Sequence, residues 1–250
     1  MKIIGFITVI ITALLLLQAE RDFPNWGDPE SPASSYRLSQ HYITETYHET
    51  VVPNMVTAVL ADYRGYDTLF ETVVIFTAGI AIIGILRVFG GNQAEHKEPQ
   101  LTKQKPDLIL QTTCRLLLPI IQLFALYVVA HGHHSPGGGF QGGVIFGASF
   151  ILLALCHDLK YAQKWVPERR ILNLAGFGVL LYAGFGVAAL MFGENFLDYG
   201  ILTHLLPGSI EEARSHSMLG VEIGVGFTVT AIMFSIYSLL SSNGKMKEGI

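Results

Sequence analysis

Two groups of residues lie where a charge or proton would have to be handled in apolar surroundings. One is Glu222, a lone carboxylate within the apolar stretch 217–240. The other is the run His131-Gly-His-His-Ser-Pro-Gly-Gly-Gly-Phe-Gln-Gly-Gly143, which connects two further apolar stretches. Six residues into a helical span, Glu222 sits roughly 9 Å below the outer end of that span. At such depth a charged carboxylate costs a few kcal/mol unless it faces a bundle interior or a wet cavity. Glu222 is therefore a candidate to carry a proton or to help coordinate sodium through oxygen. A protonated or hydrogen-bonded structural glutamate is the plainer alternative.

His131, His133 and His134 titrate near neutral pH and could line a proton or water path. A zinc site is a poor reading of them, because no cysteine is near and adjacent ligands in a short loop fit tetrahedral geometry badly. Gly137, Gly138 and Gly139 permit positive φ and close backbone approach, Pro136 stiffens the turn, and Gly142 and Gly143 continue the small-residue run. The segment is either a tightly packed corner or a site for an ion or proton. Glu71, near the outer end of another apolar stretch, is a shallower ion-path candidate. Beside it, an arginine between two carboxylates in Asp62, Arg64 and Asp67 suggests a structural clasp made by charge-assisted bonds.

These residues are positioned by long apolar segments. Of 250 residues, 50% are hydrophobic and only 14% charged, with a mean hydropathy of +0.43. Soluble domains carry about a quarter charged residues, so an all-α integral membrane protein is expected. Six stretches, 3–18, 69–89, 108–129, 140–156, 171–192 and 217–240, can each cross ~30 Å of hydrocarbon. The first reads as a retained anchor or a secretory signal; Leu17-Gln18-Ala19 lacks the small residue that cleavage requires two positions earlier, which favours the anchor. Residues 51–60 are apolar but too short to cross, and should lie in the interface or tuck against the bundle. The polar stretch 90–106 reads as a cytoplasmic linker. It separates a two-span module, residues 1–89, from a four-span module, residues 107–250.

Twelve of the sixteen basic residues fall on one side of this arrangement, and only Arg21, Arg37, Arg64 and Arg214 on the other. The positive-inside rule then puts both termini in the cytoplasm and the histidine-glycine corner outside. The net charge of −4 argues against nucleic acid as a partner. Cys114 and Cys156 lie in apolar stretches and read as small buried hydrophobes. Glycines 139, 143 and 147, 220 and 224, and 176, 178, 184 and 186 form small faces that let helices approach closely, within the chain or against neighbours. There is no P-loop, dinucleotide fingerprint, cysteine cluster or nucleophile elbow. No cofactor or metal is implied, and any catalysis must come from partners.

The four-span module, through Asp107-Leu-Ile-Leu-Gln-Thr-Thr-Cys-Arg115 and His131–Gly143, resembles the B subunit of multisubunit Mrp-type sodium/proton antiporters. The same module occurs in membrane-bound hydrogenases. The stretch Asn54-Met-Val-Thr-Ala-Val-Leu-Ala-Asp-Tyr-Arg-Gly-Tyr-Asp-Thr-Leu-Phe-Glu71 resembles the C-terminal end of the antiporter A subunit, or a separate E subunit in hydrogenases. The sequence departs from the family at Glu222, where an aspartate-like position is expected, and at His134, where asparagine is common. The resemblance implies a component of a prokaryotic cell membrane that assembles with the A, C, D and smaller subunits of the antiporter, or with hydrogenase subunits. It further implies scaffolding, with a contribution to sodium and proton movement by Glu222, Glu71 and the histidine corner.

Overall fold

The computed structural model describes residues 2–22, 26–28, 31, 36–91, 108–204 and 208–242. Residues 92–106 of the expected linker, and Lys245 and Lys247, lie outside them. The chain divides into two units, Met1–Glu45 and Thr46–Ile250. The first holds helix α1 (Lys2–Ala19), a 3-10 turn at Glu20–Asp22, and the start of α2 (Tyr36–Thr50). The second contains α3 (Met55–Ala58), α4 (Gly65–Gly91), α5 (Leu108–Ala130), α6 (Gly139–His157), α7 (Leu159–Trp165), α8 (Glu168–Met191) and α9 (Ile210–Ser241). A π-helical turn, Val59–Tyr63, joins α3 to α4.

The molecule is all-α and multi-span. Among the described residues, five helices, within α4, α5, α6, α8 and α9, are long and apolar enough to cross a membrane. Residues 51–60 do not cross. They form the short α3 and the start of the π turn, and bury Val52 and Ala58 in the same core cluster as Val221 and Val225 of α9.

Helix α9 is the most buried of the five and packs against α8, α6 and α4. It is longer than its apolar stretch suggests, because a capping box starts it early. Ser209 Oγ accepts from Glu212 N at 3.3 Å, and Glu212 Oε2 accepts from Ser209 N at 2.9 Å. Two orphan amides are thereby satisfied. Its 32 residues extend about 48 Å at helical rise, well beyond the hydrocarbon thickness. Glu222 is therefore twelve residues from the observed start of the helix.

Small residues allow this packing. A Cβ at Gly143 would lie 2.8 Å from the Gly226 carbonyl oxygen and 3.0 Å from Val229 Cβ, and one at Gly147 3.2 Å from the Thr230 carbonyl oxygen. Thr230 Oγ1 then reaches across to donate to the Gly143 carbonyl at 2.9 Å. On the opposite side of α9, a Cβ at Gly224 would lie 2.7 Å from the Gly178 carbonyl oxygen, and Thr228 Oγ1 donates to the Ala175 carbonyl at 3.0 Å. In lipid, where apolar burial gives no drive for association, such backbone approach and interhelical bonding hold spans together. Gly184 is different: nothing lies within 4 Å of an added Cβ.

At the other end of the spans, Arg87 of α4 pairs with the largely buried Glu168 of α8. A further bond joins Gln122 Nε2 of α5 to Ser149 Oγ of α6 at 3.2 Å. Gly143→Leu should strain the α6–α9 seam by about 1–3 kcal/mol, seen as a lower thermal midpoint in detergent. Gly184→Leu, with free space around it, should leave the midpoint unchanged. Equal midpoints for the two variants would contradict the seam.

Candidate functional site

The corner between α5 and α6 is built by its backbone. His131 N donates to the Tyr127 carbonyl at 2.8 Å, and Ser135 N to that of His131 at 3.1 Å. Gly138 N turns back to the Val128 carbonyl at 3.2 Å. Gly138 then starts α6 at φ 122°, a conformation that L side chains rarely adopt.

This corner is wrapped around Glu222. A Cβ at Gly132 would lie 2.9 Å from Glu222 Oε2, and one at Gly138 2.5 Å from Oε1. A Cβ at Gly139 would overlap the Glu222 backbone carbonyl. Gly142 serves the other side, where an added Cβ would lie 2.9 Å from the Ala125 carbonyl oxygen of α5. The glycines thus pack closely, and that close packing encloses a carboxylate. Among the described residues, Oε2 is shielded and has no hydrogen-bond partner.

Beside this carboxylate lies a cavity of about 310 Å³, room for about ten waters at their liquid volume. Asn54 and Thr57 of the α3 segment, Thr68, Glu71 and Thr72 of α4, the corner from Pro136 to Gly139, Gln141 of α6 and Glu222 of α9 give it its polar groups. Val56, Leu60, Phe140, Val221 and Val225 supply apolar wall. Glu222, Glu71 and the glycines, far apart in sequence, therefore share one chamber.

The histidine side chains do not line it. His131 stacks on Tyr127 at 4.8 Å between ring centroids, and His134 lies 5.3 Å from His131. His133 is half-buried, and among the described residues its Nε2 has no hydrogen-bond partner. Burial, with the neighbouring His134 and His216, holds His133 below the usual histidine range. The expected Asp62–Arg64–Asp67 clasp is divided. Arg64 pairs with Asp67 at the surface, while the π turn carries Asp62 inward to Arg214 Nε of α9 at 2.6 Å. Arg214 also lies 5.6 Å over the Tyr63 ring, whose hydroxyl donates to Glu49.

Asn54 had no role assigned from sequence, yet it joins the front segment to the corner. Its Nδ2 donates to the carbonyls of Gly132 at 2.8 Å and Ser135 at 2.9 Å, with Thr57 Oγ1 also at 2.9 Å. Oδ1 accepts from Val56 N at 3.1 Å, which fixes the amide orientation. Its backbone N donates to the His133 carbonyl at 2.9 Å, and Thr57 Oγ1 to that of Gly132 at 2.8 Å. An asparagine following Pro53 and opening a short helix is a capping signature, the one local hint of this junction.

Asn54→Ala removes the donor to the Ser135 carbonyl and one of the two donors to that of Gly132, which Thr57 still meets. Leaving a group unmet costs about 1–3 kcal/mol, so the thermal midpoint should fall, whereas Val56→Ala on the exposed neighbour should be nearly silent. A second expectation concerns pH. Folding disfavours the charged form of His133, whereas the unfolded chain takes up that proton near a pKa of about 6.5. Stability should therefore decline as pH falls below that value, and His133→Gln should flatten the decline. An unchanged slope in the variant would assign the acid sensitivity elsewhere.

Residues 109–235 match the family model described as a domain related to the MnhB subunit of Na+/H+ antiporter. Residues 31–104 match the model for the E subunit of MBH, MbhE. The B subunit of the Na+/H+ antiporter of Bacillus subtilis strain 168 is 42% identical over 130 residues, covering 50% of this chain and 90% of the relative. A chain in the structure of the membrane-bound sulfane sulfur reductase, an archaeal respiratory membrane complex, aligns with a TM-score of 0.65 and 26% identity. That alignment covers 96% of this chain and 97% of the other. In the Mrp complex from Dietzia sp. DQ12-45-1b, the fold alone is shared, with a TM-score of 0.67 and 23% identity over 98% of this chain and 26% of a longer one. Both resemblances drawn from the sequence are thus met, and the chain belongs to the family of domains related to the MnhB subunit of Na+/H+ antiporters, joined to a segment like the E subunit of MBH.

Proposed function

We propose that the chain is a non-catalytic membrane subunit of a multisubunit Mrp-type Na+/H+ antiporter, scaffolding neighbouring subunits and lending the Glu222 cavity to the cation path. One observation carries this reading: the cavity gathers Glu222 and Glu71 with amide and hydroxyl groups from both family-matched segments. Oxygen ligands suit hard cations, and an intramembrane carboxylate facing a wet cavity can exchange a proton for one.

In this reading α1 is a retained anchor and the sixth span. Residues 1–89 form a two-span module, 90–106 a cytoplasmic linker, and 107–250 a four-span module in a prokaryotic cell membrane. Both termini face the cytoplasm, and the corner faces outward, as the basic residues favour. The A, C, D and small subunits of the antiporter are the companions.

A second reading is favoured by the near-complete mutual coverage with one chain of the respiratory complex. In that reading, this chain is a subunit of a hydrogenase-like membrane arm that couples redox chemistry to ion pumping. The proteins that co-purify in mild detergent discriminate the two: antiporter subunits alone, or a redox module carrying metal centres.

Glu222→Gln in the assembled complex should lower sodium-driven proton exchange in inverted vesicles at least about tenfold, the effect of losing roughly 1.4 kcal/mol at the limiting step. Glu222→Asp should retain part of it. Normal assembly with unchanged exchange and sodium affinity would reduce the chain to a structural tether.

A further inference from the structure

The described residues do not close the Glu222 cavity. Glu71 contributes to its lining, yet Glu71 itself is exposed, as are Phe70 and Val74 on the same face of α4. Glu71 lies six residues inside α4, about 9 Å along the helix, within a stretch long and apolar enough to cross a membrane. A carboxylate exposed there, near the outer end of the apolar stretch, favours a partner that covers and neutralises it.

No ion pair or hydrogen bond to the Glu71 side chain forms among the described residues. Among the described residues, Arg64 pairs with Asp67, Arg214 with Asp62, and Arg87 with Glu168. Arg87 also stands sixteen residues further along α4, about 24 Å away by helical rise. Below Glu71, the exposed face continues through Val74, Thr77, Ala78 and Ala81 to Gly84, and nothing lies within 4 Å of a Cβ built on Gly84. A face of small side chains admits another helix at short range, and the carboxylate at its upper end specifies the charge that helix must carry.

We propose that a transmembrane helix of a companion subunit, bearing one lysine or arginine at the depth of Glu71, docks on this face of α4 and closes the cavity from the side. The proposal rests on the multisubunit reading above, but not on Glu222 carrying an ion. It differs from the glycine seams around α9, which are filled within the chain. The basic group would neutralise Glu71 at the mouth of the cavity.

The test uses the native complex with its companions. A photoreactive benzoylphenylalanine replaces Phe70 or Val74, with Leu180, exposed on α8, as the control position. Both α4 probes should crosslink to one companion membrane subunit, through a peptide whose span contains Lys or Arg, and the control should not reach that peptide. Glu71→Lys sets like charges opposite each other and should reduce recovery of that companion at least about tenfold, while Glu71→Asp should preserve it. Crosslinks only to lipid, to a second copy, or to residues 2–18 of the same chain would overturn the proposal. So would a captured helix without a basic residue, or wild-type recovery of the companion with Glu71→Lys. Crosslinking does not read transport, so a silent Glu222→Gln and a failed crosslink remain separate results.

Discussion

A carboxylate within an apolar span is tolerable only if its surroundings are arranged for it, and the architecture around α9 follows from that requirement. Glu222 costs a few kcal/mol to place at depth as an anion, so it must face protein or water. The glycine corner meets the condition by omission. Gly132 and Gly138 leave out the Cβ atoms that would crowd the two carboxylate oxygens, and Gly139 lets the first turn of α6 pass over the Glu222 backbone. A corner of ordinary residues would push α6 away from α9, and with it the seam at Gly143 and Gly147.

The polar groups nearby divide into two kinds. Some are consumed by structure: Thr228 and Thr230 bridge α9 to its neighbours, Asp62 is held by Arg214, and Asn54 spends both its amide protons and its oxygen on the junction. A buried ion pair such as Asp62–Arg214 adds little net stability over apolar packing, but it fixes register, since breaking it strands a charge. Glu222 is of the other kind, placed at a cavity with its Oε2 unpartnered among the described residues. Groups left uncommitted in an otherwise satisfied interior are where exchange with a mobile ion can occur.

Much of the fold was legible because hydropathy over twenty residues is a strong signal. The stretches centred near residues 79, 119, 148, 182 and 229 all appear as helices. The limits were less legible where local chemistry prolonged a helix, as the Ser209–Glu212 capping box did for α9. Glu222 and the glycine run could be singled out individually, but their contact could not, since eighty residues separate them. Asp62 shows the opposite failure. Its neighbours in sequence suggested a clasp with Arg64, yet the π turn rotates it toward Arg214, 152 positions away. The histidine segment meets this cavity through its backbone, from Pro136 to Gly139, which side-chain identity does not report.

Joining the two family-matched segments in one polypeptide has a physical consequence. The MnhB-related match spans residues 109–235 and the MbhE match residues 31–104, so the corner and the Asn54 segment belong to different matches. Here Asn54 and Thr57 reach the corner within the same chain, and the contact forms at the effective concentration set by the connecting residues rather than by subunit encounter. The cavity's inner wall is consequently complete as soon as the chain folds. Among the described residues, the side at Glu71 stays open, and a helix meeting that side meets Glu222 through a chamber already formed.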